Sequence, residues 1–186
     1  MSPRLDFCII LPVYYNEESL RPAYEKLKTV LLELAPRWRG GLLYVDDGSG
    51  DGSFGVLENI HALGEVPTTV VKLSRNFGQV MAIRAGLAHC EATAAIVMSA
   101  DGQEPVELIP QMLAKHFDEK HEVVVCTRAD REEGAYRTWT SRLFYATMRK
   151  LCIPDMPTGG FDCFLLGPAA QAALRQEQEL QPFLQG

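Results

Sequence analysis

The stretch of sequence that decides the fold is LLYVDDGS at residues 42–49. Four apolar residues run directly into Asp46, Asp47 and a glycine, which is typical of a buried strand that ends in a tight turn. Similar apolar runs occur at residues 7–13, 69–73, 94–99, 123–127 and 161–166, and most of them are followed by polar residues. These runs predict six strands.

Longer amphipathic segments separate the predicted strands. They predict helices over residues 20–34, 54–62, 79–90 and 136–151, with one entered through Pro105 and another after residue 166. Alternating strands and helices are typical of βαβ units. The sequence therefore predicts an α/β fold of the Rossmann-like kind, a mostly parallel sheet flanked by helices. A chain of 186 residues is enough for one such domain and too short for two ordinary ones.

The composition excludes some classes of protein. Hydrophobic residues make up 47% of the chain and charged residues 23%, as in an ordinary globular protein. The net charge of −6 at pH 7 argues against general nucleic-acid binding, because counterion release requires a basic surface. We therefore expect no nucleic-acid partner. No apolar run approaches the length that spans a bilayer.

Charged side chains follow five of the predicted strands. In chain order they include Glu17, Asp47, Arg75, Asp101 and Arg128. The carboxyl ends of parallel strands meet at one edge of a sheet, and open α/β sheets bind their ligands there. Loops are polar in any protein, but carboxylates and arginines at these strand ends together favour a site for a charged ligand.

Two common nucleotide-binding motifs are absent from the sequence. The first strand–helix turn lacks G-x-G-x-x-G, and G-x-x-x-x-G-K-[ST] does not occur. A nucleotide held by carboxylates, with its diphosphate neutralised by a metal ion and arginine, remains. A calcium site is an alternative, because residues 47–58 have the spacing of an EF-hand loop. That motif needs an entering helix, whereas residues 42–45 predict a strand.

Five segments, taken in order, resemble family 2 glycosyltransferases of the GT-A fold. They are LPVYYNEE at 11–18, VDDGS at 45–49, LSRNFG at 73–78, AIRAGL at 82–87 and SADGQEP at 99–105. The likeness covers nearly the whole chain and is closer to the dolichyl-phosphate mannose synthase-like branch, which makes polyprenyl-phosphate hexoses. It implies that residues 1–186 form one nucleotide-sugar glycosyltransferase catalytic domain.

The resemblance also implies which residues bind the donor nucleotide. Pro12, Tyr14 and Glu17 match positions that line the base and ribose. Asp46 and Asp47 match an acidic pair, one member of which accepts a hydrogen bond from the base. One of the two is also expected to cap the glycine-rich turn through hydrogen bonds to its backbone.

Asp101 and Gln103 match ligands of the divalent metal ion, Mg²⁺ or Mn²⁺, that neutralises the donor diphosphate. Ser99 departs from the family, which usually has an acid there; a neutral hydroxyl is a poorer ligand, so we expect weaker metal binding. The turn at Tyr14 and Tyr15 has one tyrosine more than its commonest form. The sequence leaves open which ring stacks on the base.

The resemblance extends to the reacting groups. Arg128 resembles an arginine that faces the diphosphate at the end of strand five. Arg137 and Ser141 match the pair that grips the acceptor phosphate, and their spacing of four residues places them on one helix face. A glycan hydroxyl as acceptor would need a general base. Asp162 is the candidate, although the family places its aspartate one residue earlier.

The resemblance therefore implies an inverting transfer of a hexose from a UDP- or GDP-sugar to a polyprenyl-phosphate lipid. Two alternatives remain: transfer to a glycan hydroxyl in cell-surface polysaccharide synthesis, and a non-catalytic nucleotide- or calcium-binding module. Residues 134–152 are basic and aromatic, which suits a surface of anionic lipids. We expect a cytoplasmic protein at the inner face of the membrane. Relatives typically continue further, so we expect this chain to lack their C-terminal acceptor and membrane part.

Overall fold

The computed structural model of the protein describes residues 4–127 and 161–176. Strands and helices alternate along the chain, as predicted, and the strand bounds differ from the predicted ones by at most two residues. The helix predicted over residues 136–151 lies outside the described residues. The elements are β1 (Phe7–Val13), α1 (Glu17–Leu34), β2 (Gly40–Asp46), α2 (Ser53–Leu63), β3 (Thr68–Lys72), α3 (Gln79–His89), β4 (Ala94–Val97), α4 (Leu108–Phe117), β5 (Val123–Thr127), β6 (Phe161–Leu166) and α5 (Pro168–Gln176).

The six strands form one sheet in the order β3-β2-β1-β4-β6-β5. β1 pairs in parallel with β2 and β4, and β2 pairs in parallel with β3. β6 is antiparallel to both of its neighbours, β4 and β5. The predicted α/β fold with a mostly parallel sheet is thus confirmed, and the reversed direction of β6 is an addition from the structure.

The central strand β1 is buried on both faces, as is typical of parallel sheets. Phe7, Ile9 and Leu11 lie in the apolar cluster that β1 forms with α1, α2 and α4. Cys8 and Ile10 lie in the opposite cluster, to which α3 and α5 contribute. Helices therefore cover both faces of the sheet in the part of the chain that the structure describes.

The order in which strands are added to the sheet reverses at β1. From β1 the chain builds outward through β2 to β3, and it then returns to the other side of β1 to form β4. In open α/β sheets, ligands bind outside the carboxyl ends of the strands at such a reversal. The loops after β1, β2 and β4 are therefore the ones that the fold brings to a candidate site.

None of the helices in the described ranges combines the length and the apolar character that crossing a membrane would require.

Candidate functional site

The loop after β1 is held in place by serine side chains from the loop after β2. The backbone N–H of Tyr15 donates to Ser49 Oγ at 3.1 Å, and that of Asn16 donates to Ser53 Oγ at 2.9 Å. Ser53 is fully buried, so its bond is protected from water. These two bonds fix the spacing between the loops that follow two adjacent parallel strands.

Glu17 makes a reciprocal contact between the same two loops. Its backbone N–H donates to Asp51 Oδ2 at 3.4 Å, and its own Oε2 accepts from the backbone N–H of Gly52 at 2.8 Å. Partial burial opposes ionisation of Asp51, but hydrogen bonds from Ser53 and Glu17 outweigh it and lower its pKa. The structure thus gives Glu17, which we predicted to bind the nucleotide, a bracing contact at the candidate site.

The neighbouring aspartates Asp46 and Asp47 have different surroundings. Asp47 is buried, and its two oxygens accept from the backbone N–H groups of Phe77 at 2.8 Å and Gly78 at 2.9 Å. Its carboxylate is therefore occupied in holding the loop after β3. Asp47 therefore braces the loop after β3, whereas the glycine-rich turn is capped by Asp46.

Asp46 is fully buried at the end of β2. Its Oδ1 accepts from the backbone N–H of Ser49 at 3.2 Å, whereas its Oδ2 has no hydrogen-bond partner among the described residues. Leaving a buried carboxylate oxygen unpaired costs free energy. Of the two aspartates, Asp46 is the one with acceptor capacity left for a ligand, which would have to displace the groups that cover it.

Two tyrosines project from the loop after β1. Tyr14 is 48% exposed and Tyr15 is 57% exposed. Their ring centroids lie 4.7 Å apart with an interplanar angle of 80°, an edge-to-face arrangement. Pro12 lies one residue before the end of β1, opposite Val45 of β2, and is partly buried. The predicted base-side residues therefore share one edge of the sheet.

The loop after β4 is organised mainly by its own residues. Asp101 Oδ1 accepts from the backbone N–H of Gln103 at 2.9 Å, and the N–H of Asp101 donates to Ser99 Oγ at 3.4 Å. The N–H of Ser99 donates to Glu104 Oε2 at 2.6 Å. Ser99, which stands where the family usually has an acid, therefore caps the loop with its hydroxyl.

The chemistry of this loop fits a weakly held divalent cation. Asp101 and Gln103 offer oxygen donors, which Mg²⁺ and Mn²⁺ prefer. Within the described residues there is no group of three or more His, Cys, Asp or Glu side chains that could hold a metal ion. Asp101 supplies one negative charge, so such an ion would take most of its ligands from phosphate and water, as Mg²⁺ commonly does.

The predicted residues on the acceptor side are less fully located. Arg128, Arg137 and Ser141 lie outside the described residues, and their roles stay predictions. Asp162 is the second residue of β6, next to Phe161, which pairs with Thr127 at the end of β5. Because β6 runs antiparallel, its first residues share the edge formed by the carboxyl ends of the other strands. The backbone of Asp162 therefore lies at the predicted edge.

Sequence reasoning missed the serines and Asp51 as organisers of the site. Serine and aspartate at the start of a helix are a recognisable capping signal. Asp51 and Ser53 carry this signal at the start of α2. The signal does not show that Ser49 and Ser53 bond a different loop. The calcium-loop alternative is wrong, because β2 occupies the place of the entering helix that an EF-hand requires.

The fold is that of the GT-A glycosyltransferases. A mannosyltransferase from Pyrobaculum calidifontis, solved in complex with GDP-Man and Mn²⁺, is similar with a TM-score of 0.62 and 17% identity, over 93% of this chain and 47% of that one. Mannosyl-3-phosphoglycerate synthase from Rubrobacter xylanophilus is similar with a TM-score of 0.58 and 17% identity, over 88% of this chain and 54% of that one.

The sequence identifies the family. The model of the family described as Glycosyl transferase family 2 matches residues 8–169, and the chain belongs to this family. It is 33% identical to an undecaprenyl-phosphate 4-deoxy-4-formamido-L-arabinose transferase of Pseudomonas syringae pv. syringae over 142 residues, 76% of this chain and 41% of that protein. It is 32% identical to the uncharacterized glycosyltransferase YkcC of Bacillus subtilis over 187 aligned residues, 100% of this chain and 57% of that protein. The chain spans about half the length of these curated relatives.

Proposed function

We propose that this chain binds the donor in an inverting transfer of a sugar from a nucleoside diphosphate to a polyprenyl phosphate. The observation that carries the proposal is the reversal of strand order at β1. It makes β1 and β4 parallel neighbours, so the aromatic loop after β1 and the Asp101 loop after β4 lie at one edge of the sheet. The name of the Pseudomonas syringae relative supports a lipid-phosphate acceptor.

The base and ribose would lie against the loops after β1 and β2. Tyr14 offers an exposed ring for stacking, and Pro12 lies two residues before it, within β1. Asp46 has an unpaired oxygen that could accept an N–H of the base. Satisfying a buried acceptor in this way would favour a base that presents an N–H at that point. Both uracil and guanine do so, and UDP- and GDP-sugars are both candidates.

The diphosphate would lie at the loop after β4. Asp101 and Gln103 would hold Mg²⁺ or Mn²⁺, which would stabilise the negative charge on the departing nucleoside diphosphate. Arg128, directly after β5, would add a positive charge on the same side. A leaving group stabilised in this way does not require a strong acid to protonate it.

The acceptor phosphate would be held by Arg137 and Ser141. A phosphate oxygen would form the new bond to the anomeric carbon while the bond from that carbon to the diphosphate oxygen breaks, which inverts the configuration. A phosphate is already anionic near neutral pH, so no general base is needed. We place this reaction at the cytoplasmic face of the membrane, where the basic and aromatic segment 134–152 would meet anionic headgroups.

A second candidate is transfer to a glycan hydroxyl, which is favoured by one observation. The backbone of Asp162 lies at the same edge as the donor loops, where a general base would be required. The two candidates make opposite predictions for the change Asp162→Asn. Transfer to a hydroxyl should fall by about 100-fold or more, whereas transfer to a lipid phosphate should change little.

The first test is isothermal titration of the chain with UDP and GDP, with and without Mn²⁺. We expect one nucleotide to bind, and to bind more tightly with the metal ion. A chain that ignores both nucleotides would contradict the proposal. Transfer of labelled sugar to undecaprenyl phosphate or to an oligosaccharide, with Asp162→Asn beside the unchanged protein, then separates the two acceptors.

A further inference from the structure

The second tyrosine of the loop after β1 has an unusual backbone. Tyr15 has a φ of +55°, and Lys120 is the one other non-glycine residue with positive φ in the described ranges. A bulky side chain in this left-handed region costs free energy, and such residues concentrate at functional sites. The surrounding structure must therefore stabilise Tyr15.

Side chains on both sides of Tyr15 provide that stabilisation. The N–H of Tyr15 donates to Ser49 Oγ at 3.1 Å. The preceding N–H, of Tyr14, donates to Asn16 Oδ1 at 2.9 Å, and the following one, of Asn16, donates to the buried Ser53 Oγ at 2.9 Å. Three consecutive backbone N–H groups are thus fixed by side chains. Ser49 is the partner that acts on Tyr15 itself.

The position of the Tyr15 ring is defined by Gly50 and Tyr14. A Cβ atom on Gly50 would lie 2.5 Å from the Tyr15 hydroxyl and 3.3 Å from Cζ, so any larger residue would displace the ring. Gly50 has no positive φ, and it is therefore the ring, not the backbone, that excludes a side chain there. The ring also meets Tyr14 edge to face, with the two centroids 4.7 Å apart.

We propose that Tyr15 is a specificity-determining residue that forms, with Tyr14, a two-walled corner for the flat base of the donor nucleotide. The inference rests on the proposed function. Because the two rings stand at 80°, a base can stack on one tyrosine while its edge contacts the other. The contact at the edge depends on the width of the base, so uracil and guanine should bind with different affinities. Tyr15 is 57% exposed and stands at the edge where Asp46 has its unpaired oxygen. Ser49 and Gly50 are positioning residues for the ring.

The test measures dissociation constants for UDP and GDP in Mn²⁺ for the unchanged chain and five variants. Tyr15→Gly removes the ring but tolerates the left-handed backbone, so the melting temperature should hold or rise while affinity for the preferred nucleotide falls about tenfold. Gly50→Ala should cause a similar loss by displacing the ring. Ser49→Ala should lose affinity, and Ser49→Thr, which retains the hydroxyl, should restore it.

Lys120→Gly is the matched control, because Lys120 also has a positive φ but lies between α4 and β5, before the start of β5. It should leave both dissociation constants unchanged. The ratio of UDP to GDP affinity should move toward one in Tyr15→Gly and stay fixed in Lys120→Gly. If Tyr15→Gly binds the preferred nucleotide within twofold of the unchanged chain, the inference is overturned while the proposed function stands. If the unchanged chain binds neither nucleotide, both are overturned.

Discussion

The loops on the two sides of the candidate site are built differently. Those after β1 and β2 are bonded to each other, through Ser49, Ser53 and Glu17. The loop after β4 is bonded mainly within itself, and its bond to α1 is a long one of 3.5 Å from Lys26 Nζ to the carbonyl of Gly102. The loops after β1 and β2, where we propose that the base binds, are therefore held in place by the protein itself. The proposed metal site in the loop after β4 has one carboxylate, Asp101, and would be completed by the ligand.

The largest effect is expected where Asp47, in the loop after β2, loses its two bonds to the loop after β3. Asp47→Ala removes the acceptor of two backbone N–H groups, and bonds to a charged acceptor are strong, so unfolding should become easier by about 3 kcal/mol. Urea denaturation would measure this. As a control, Asp118→Ala breaks an exposed ion pair with Arg37 and should cost less than about 0.5 kcal/mol. Equal losses would show that the Asp47 bonds do not organise the fold.

The next effect concerns the side that the ligand completes. Asp101→Asn removes the one carboxylate of the proposed metal site but retains an oxygen that can accept from the N–H of Gln103. Nucleotide affinity in Mn²⁺ should fall by about tenfold or more, whereas the melting temperature should hardly change. Calorimetry with and without Mn²⁺ measures the first quantity. A variant that binds as tightly as the unchanged chain would show that the metal ion, if used, lies elsewhere.

A smaller gain is expected when the missing acid is restored. Ser99→Asp adds a second carboxylate to the proposed metal site, which should raise Mn²⁺ affinity by about fivefold, since charge count tunes affinity. The gain is limited because Glu104 already lies against the backbone of Ser99, and like charges repel. Mn²⁺ titration followed by electron paramagnetic resonance would report it. Ser99→Ala is the matched control, and weaker binding in Ser99→Asp would contradict the two-carboxylate model.

The smallest effect is expected on the pKa of Cys126, a thiol close enough to the same loop to respond to the charge of Glu104. A hydrogen bond from Cys163 lowers the pKa of Cys126 to about 7, against burial and the charge of Glu104, which raise it. The reactive thiolate forms above the pKa, so alkylation of Cys126 should rise through pH 7 and level off near pH 8. Glu104→Gln should move the midpoint lower by a fraction of a unit. Site-resolved mass spectrometry would follow it, and an unchanged midpoint would exclude this coupling.

The positions of the strands could be predicted because apolar runs ending in polar residues mark them directly. Their ends were harder to predict. Gly40 and Gly41 look like chain breakers, yet they begin β2, where they pair with Phe7 and Cys8 of β1. Side chains of Phe7 and Leu31 occupy the place that a Cβ of Gly40 would take. Short-range patterns carry no information about such packing from distant parts of the chain.

The candidate site was predictable as a place and not as a set of contacts. Strand ends and the family resemblance indicated Asp46, Asp47 and Asp101. They could not separate Asp46 from Asp47, because the difference lies in backbone N–H groups of the loop after β3, about thirty residues away along the chain. Hydrogen bonds between sequence-distant loops depend on the assembled sheet.

The insertion of β6 between β4 and β5 has a consequence for how the protein is made. A ribosome releases β1 to β4 first, and these parallel strands can pair as they emerge. β5 emerges next, but in the finished sheet it borders β6, which is synthesised only after residue 160. The edge strand that leads into Arg128 must therefore wait for its neighbour. Nascent chains that pause before residue 166 would hold four paired strands and an unattached fifth.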